Sequence, residues 1–142
     1  MEVLIKKIHP DAIIPEYKTE GSVGFDLYII EDYLVAPQAI VYMRTGLVIK
    51  VPDGYMLMLV PRSSIPWNFN LTMPHGCGII DSDYCGDEDE IILQFYNFSN
   101  QWVNVPKWTR LAQGILIPVA KAEFVEEEFK FENRGGFGST GE

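Results

Sequence analysis

Positive charge is scarce in this sequence. Eleven Lys and Arg residues stand against 20 Asp and Glu, a formal net charge of −9. A DNA or RNA polymer attracts the opposite sign, so nucleic acid is excluded as a partner. Only four arginines exist, Arg44, Arg62, Arg110 and Arg134, and each invites a reason. Cysteine is nearly absent: the two residues, Cys77 and Cys85, sit in one short stretch. They could bridge a hairpin or stand as thiols. Nothing else suggests secretion, so reduced thiols are the reading. No apolar run reaches the length of a signal peptide's core or a membrane span, so a soluble, cytoplasmic protein without a membrane partner is expected. A sustained helical period is also missing.

The 142 residues suggest one domain, and 47% of them are hydrophobic, which allows an ordinary core. A chain this size can bury roughly 68% of its unfolded surface without staples. Short apolar runs recur between turn residues: 2–8, 25–30, 40–51 (interrupted at Arg44-Thr45-Gly46), 55–60, 91–98, 103–108 and 111–119. Pro10 and Pro15 break 9–19 into loop, and Pro52-Asp53-Gly54 marks a turn. Arg62 to Asn68 has the polar start of a single helical turn, which Pro66 keeps short. Residues 121–131 fit neither the helical nor the strand period. Many short strands with Gly and Pro at the joints predict an all-β fold, a distorted jelly roll or β-sandwich, ending in a flexible glycine-rich arm.

The stretch Gly76–Gly86, GCGIIDSDYCG, reads as a β-hairpin arm with turn chemistry at its tip. Strand alternation would turn Ile80 and Ser82 one way and Ile79, Asp81 and Asp83 the other. A carboxylate beside strand isoleucines, three residues before Tyr84, makes a candidate pocket. Other constellations have two readings each. Arg62-Ser63-Ser64 is either a helix cap with a surface arginine or a phosphate site. Arg110 and Gln113 suit a structural salt bridge or a sheet-edge contact. Asp26 suits a turn or a hydrogen bond better than catalysis. The acidic run 87–90 lacks the glycine and spacing of a calcium loop and reads as a solvated loop. The tail from Arg134 is either a frayed end or a wrap for a polyphosphate, with backbone N–H groups, two hydroxyls and a cation to offer.

Taken in order, GSVGFDL at 21–27, PRSS at 61–64, GIIDSDYCG at 78–86, RLAQ at 110–113 and RGGFGSTG at 134–141 resemble the five motifs of the homotrimeric deoxyuridine triphosphatases (dUTPases). The TGL…VPDGY run at 45–55 matches the framework between the first two, so the resemblance spans nearly the whole chain. It implies a jelly-roll domain over 1–132 and an arm over 133–142 that closes over an active site. It also implies hydrolysis of dUTP to dUMP and pyrophosphate, which limits uracil in DNA and supplies dUMP for dTMP synthesis. Asp81 would be the general base that orients water toward the α-phosphorus. Backbone around Gly76, Gly78 and Ile80 would read uracil, and Tyr84 would lie under the deoxyribose and reject a 2′-hydroxyl. Arg62, Ser63, Ser64 and Gln113 would hold phosphates or the water. Arg134 would reach the γ-phosphate, Phe137 would stack on uracil, and Gly138, Ser139 and Thr140 would close over the phosphates. Mg²⁺ is the implied cofactor, bound mainly by the triphosphate, with Asp26 as a ligand through water. The implied assembly is a homotrimer whose sites each draw on three subunits.

The sequence departs from that pattern in three places. Asp87-Glu88-Asp89 resembles an insertion of about three residues after the third motif. The fifth motif is two residues shorter between Arg134 and Phe137, which loosens the assignment of Arg134 to the γ-phosphate. Ser22-Val23 stands where small residues are usual. Residues 92–97, ILQFYN, also resemble the dCTP deaminases, but Gln94 replaces their glutamate base, and an amide cannot take that role. A third reading is a dUTPase-like regulator that binds a protein through the acidic insertion.

Overall fold

A computed structural model of the chain describes residues Met1–Gly141. They form eleven strands and one short helix. The strands are β1 (Leu4–Lys7), β2 (Phe25–Tyr28), β3 (Tyr33–Val35), β4 (Ile40–Arg44), β5 (Leu47–Lys50), β6 (Tyr55–Pro61), β7 (Leu71–Thr72), β8 (Gly78–Ile80), β9 (Ile92–Asn97), β10 (Val103–Val105) and β11 (Arg110–Pro118). The helix α1, Ile65–Phe69, carries Pro66 in its first turn, where a missing N–H costs nothing, and ends at Asn70 in the left-handed region. No helix among the described residues is long and apolar enough to cross a membrane.

All described pairing is antiparallel. A four-stranded sheet has the order β2-β11-β6-β8 and a three-stranded sheet the order β4-β9-β7, with two-stranded ribbons β1-β5 and β10-β3 beside them. The two larger sheets share one core. Leu27, Leu57, Leu59, Leu111 and Ala112 come from the first, and Met43, Leu71, Leu93 and Phe95 from the second. This is the expected all-β sandwich, and its alternation is clean in β9: Leu93, Phe95 and Asn97 point inward while Ile92, Gln94 and Tyr96 are half-exposed. Buried Asn97 is satisfied by donating to the carbonyls of Val35, Ala36 and Gln101.

The run 40–51 divides at its Thr45-Gly46 interruption into β4 and β5, which join different sheets. One expectation changes. The stretch Gly76–Gly86 is not one arm of a local hairpin. Only Gly78–Ile80 is strand, and it pairs with β6, with Gly78 opposite Leu59 and Ile80 opposite Leu57. Residues 81–91 then run as turns, so strand alternation stops at Ile80. The third motif is apolar for too few residues to pair with itself, whereas β6 offers a complete apolar edge. β3 and the two-residue β7 were not legible as strands, being too short to show a period. The last strand ends at Pro118, and residues 120–141 are all exposed.

Gly46 has φ +68°, and a Cβ there would stand 2.9 Å from the Cβ atoms of both Ala12 and His9. Gly46→Ala should therefore lower stability by about 1–3 kcal/mol, combining left-handed strain with overpacking. The check is the urea unfolding midpoint, which stays put only if the β4–β5 turn can relax.

Candidate active site

The residues singled out from the sequence sort into three places. The first is a cleft of about 260 Å³ lined by Lys18, Ser22, Val23, Gly24, Asp26, Arg62, Ser63 and Gln113. It brings together parts of the first, second and fourth motifs because β2 and β6 flank β11. Asp26 lies directly across from Gln113, and Gln113 directly across from Val60. A register shift between Arg110 and Ala112 lets β11 swing Arg110 toward β2. A Cβ at Gly24 would meet Oε1 of Gln113, so the small residue leaves that side chain its place in the cleft.

Asp26 organises this cleft. Its carboxylate is largely buried and faces two arginines: Oδ2 accepts a hydrogen bond from Arg110 Nη1 at 3.0 Å, and Oδ1 forms an ion pair with Arg62 Nε at 3.1 Å. Arg62 also donates to the Arg110 carbonyl at 3.3 Å. Both arginines are about one-third exposed, so two partly solvated guanidinium groups share one anion. The cluster keeps a positive excess facing solvent, which suits a polyanion. Asp26 thus combines the hydrogen-bonding role expected of it with the salt bridge expected of Arg110. Ser64 is the N-cap residue of α1, makes no side-chain cap bond, and does not line the cleft.

The second place is a cleft of about 510 Å³ lined by Asp53, Gly54, Tyr55, Met56, Ile79, Asp81, Ser82, Asp83, Val119 and Lys121. Asp81 leaves β8 here, exposed, as the first residue of a turn closed by Tyr84 N–H donating to the Asp81 carbonyl at 3.2 Å. Gly76, Gly78, Ile80 and Tyr84 do not line this cleft themselves, but they are continuous with Asp81 through β8 and this turn. Because β8 is the end strand of its sheet, one edge of its backbone is unpaired. Gly76 has φ +83°, and Gly78 lies so close to Leu59 that an added Cβ would sit 3.1 Å from it. Cys77 and Cys85 are free thiols, as expected.

The two clefts lie at opposite ends of β6. Asp81 follows Ile80, which pairs with Leu57, while Arg62 is beyond the other end of the strand. Six strand positions at about 3.3 Å each separate their backbones by roughly 20 Å. A single chain cannot hold one phosphorus within hydrogen-bond reach of both.

The third place is the tail. Arg134, Phe137, Gly138, Ser139 and Thr140 are exposed and line neither cleft. Two tight turns shape it, with Ser139 N–H donating to the Gly136 carbonyl and Gly141 N–H to the Gly138 carbonyl, each at 3.1 Å.

The acidic run is solvated at Asp87 and Glu88, as expected, but is tied down at Asp89 and Glu90. Asp87 pairs with Lys6 at 2.6 Å, and that hydrogen bond holds its carboxyl below the usual range. Asp89 accepts from Gly86 N–H at 2.7 Å, and Glu90 is buried. Glu90 receives Arg44 Nε at 3.1 and 3.2 Å and Gly46 N–H at 2.7 Å. Sequence reasoning missed this cluster. The available clue was the Thr45-Gly46-Leu47 framework, which fits the family pattern without any chemistry of its own to explain it.

No group of three or more His, Cys, Asp or Glu that could hold a metal lies among the described residues. The donor set of the cationic cleft suits an anion, with a hard cation carried on the anion's own oxygens.

Comparisons with known proteins agree on one family. The family model described as dUTPase matches residues 10–141. A deoxyuridine 5′-triphosphate nucleotidohydrolase of Helicobacter pylori (strain Shi470) is 40% identical over 144 residues, covering 99% of this chain and 97% of the relative. Among solved structures, the dUTPase of Staphylococcus bacteriophage 80alpha with dUPNHPP superposes with a TM-score of 0.88 at 22% identity, covering 99% of this chain and 98% of that one. The dUTPase of phage phi11 of S. aureus superposes with a TM-score of 0.81 at 20% identity, covering 92% and 100%, and its structure is described as revealing the coordination of a structural Mg(II) ion.

The clamp on Asp26 yields a direct test. Removing one partner of a buried ion pair costs about 3–5 kcal/mol, but the partly exposed arginines are screened by solvent. Asp26→Asn should therefore lower stability by about 1–2 kcal/mol in a urea titration. A variant as stable as the parent would show that the arginines find other partners.

Proposed function

The chain belongs to the dUTPase family, and from that membership we propose that it hydrolyses dUTP to dUMP and pyrophosphate. In the cell this limits uracil in DNA and provides dUMP for dTMP synthesis. One observation carries the reading: the motif residues divide into a cationic cleft and an acid-bearing turn at opposite ends of β6. Each is one half of a triphosphate-cleaving site, and two copies of the chain would supply both halves to one substrate.

The chemistry follows from the parts. Arg62, Ser63 and Gln113 hold the phosphates, with Asp26 pairing with the Arg62 guanidinium, while Ser64 starts the helix behind them. The open backbone edge of β8, around Gly76, Gly78 and Ile80, meets the donor and acceptor edge of uracil. Gly78 brings that backbone close, which leaves no room for a thymine methyl. The Tyr84 ring packs against the deoxyribose and offers no partner to a 2′-hydroxyl. The Asp81 carboxylate accepts a proton from water as the water's oxygen attacks the α-phosphorus in line. The bond from the α-phosphorus to the bridging oxygen breaks, and pyrophosphate leaves with the electron pair. Mg²⁺ would neutralise charge on the triphosphate oxygens, with Asp26 reaching it through water.

The tail belongs to the same proposal. Phe124, Val125, Phe129 and Phe131 are 72–95% exposed, an apolar surface that a lone chain leaves in water. In a homotrimer these side chains cover a neighbouring subunit, and residues 133–142 reach its site. There Arg134 meets the γ-phosphate, Phe137 caps the uracil, and Gly138, Ser139 and Thr140 close over the phosphates.

Three measurements test the reading. Incubation with dUTP, dCTP, dTTP or UTP plus Mg²⁺ should release pyrophosphate from dUTP alone. Ammonia from dCTP would point to deamination instead, and neither product would point to a nucleotide-binding regulator. Asp81→Asn should retain nucleotide binding while kcat falls by about 10²–10⁴-fold. Removing residues 134–142 should leave the melting temperature and the sedimentation-equilibrium mass of a trimer intact while activity falls about a hundredfold. Full activity in the truncated protein would exclude the arm from the site.

A further inference from the structure

Tyr84 is tethered at its far end. Its hydroxyl donates to the backbone carbonyl of Glu90 at 3.1 Å, closing the loop 84–90 into a ring, while the residue remains 38% exposed. Glu90 is itself immobilised. Its side chain is only 11% exposed, and both carboxylate oxygens accept from Arg44 Nε. Oε1 also receives Gly46 N–H. Arg44 is held in turn: its N–H donates to Tyr33 Oη at 2.8 Å, and its Nη1 stands 3.7 Å from Glu31. Burial pushes the Tyr33 phenol up, with the Arg44 hydrogen bond acting in the opposite direction. Lys6 also pairs with Asp87 on the exposed surface of the loop.

These contacts form one mechanical chain from β4 to the turn that carries Asp81 and Tyr84. A tyrosine ring turns about two side-chain torsions, and a hydroxyl anchored to fixed backbone removes most of that freedom. Without the anchor the ring can swing aside and admit a larger sugar.

We propose that the Arg44–Glu90 ion pair is a positioning element for Tyr84, setting the angle of its ring and thereby the discrimination between deoxyribose and ribose. This rests on the reading that Tyr84 faces the sugar. Arg44 and Glu90 touch no substrate and act only through the Glu90 carbonyl. The loop residues after Gly86 thus serve substrate selection from outside the site.

The experiment compares kcat/KM for dUTP and UTP, with Mg²⁺, in the full-length protein and three variants. Tyr84→Leu removes the ring, Tyr84→Phe removes only the hydroxyl, and Arg44→Met removes the charge while keeping a chain of similar length. The dUTP/UTP ratio should collapse in Tyr84→Leu. It should fall about three- to tenfold in Tyr84→Phe and in Arg44→Met, the range for losing one hydrogen bond. The double variant Arg44→Met/Tyr84→Phe should be no worse than its more affected parent, since both break one tether. A merely structural role for the pair would lower activity on both substrates in proportion and leave the ratio unchanged. An unchanged ratio in Tyr84→Phe overturns the proposal, and should Arg44→Met fail to fold, that variant decides alone. If Tyr84→Leu also leaves the ratio unchanged, the placement of Tyr84 against the sugar fails, and the proposal with it.

Discussion

The junction between Arg44-Thr45-Gly46 and Glu90-Ile91 holds the molecule together where three of its parts meet. Thr45 Oγ1 donates to the Ile91 carbonyl at 2.6 Å, Ile91 N–H to the Leu47 carbonyl at 2.8 Å, and Gly46 N–H to the Glu90 carboxylate. On the other side, Ile8 N–H donates to the Gly46 carbonyl at 2.9 Å. The junction joins β1-β5, β4-β9 and the loop bearing the candidate catalytic turn. Thr45 and Ile91 are fully buried, so these bonds form out of water, where an unpaired partner would be costly. Only a residue with no side chain fits at Gly46, because two neighbouring Cβ atoms crowd it at a positive φ.

An acidic protein that handles a polyanion must concentrate its few cations. Two of the four arginines, Arg62 and Arg110, share Asp26 at the mouth of one cleft, and Arg44 is committed to Glu90. Asp26 lowers the repulsion between two adjacent guanidinium groups and fixes their direction without cancelling their charge. Much of the surplus acid sits elsewhere, in the 87–90 run and the glutamates at 126–128. A field that is unfavourable on average can therefore still be favourable at the cleft.

The strands were largely legible in the sequence because apolar runs bounded by Gly and Pro map directly onto buried sheet positions. Ile92–Asn97, Tyr55–Pro61 and Arg110–Pro118 fell within a few residues of expectation. The pairing of Gly78–Ile80 was not legible. Three residues are too few to carry a register, and the partner that captured them, β6, lies well upstream, with Leu57 opposite Ile80 and Leu59 opposite Gly78. The end of the acidic run misled for a related reason: Asp87 and Glu88 face solvent as composition favours, but Glu90 meets a distant arginine and a distant N–H that composition does not reveal.

The residue types at the candidate site came from local chemistry. A carboxylate and an aromatic three residues apart fit one turn, and an arginine with hydroxyls after a strand marks an anion cleft. Those are properties of short segments, so the linear order of residues determined them. Where the segments stand was decided by tertiary structure. The register of β8 on β6 sends Asp81 toward one end of a strand whose other end leads to Arg62, so no single chain can join them on one phosphorus. Long-range pairing sets that separation, because a strand is a rigid ruler and a motif's sequence carries no measure of where the ruler will lie.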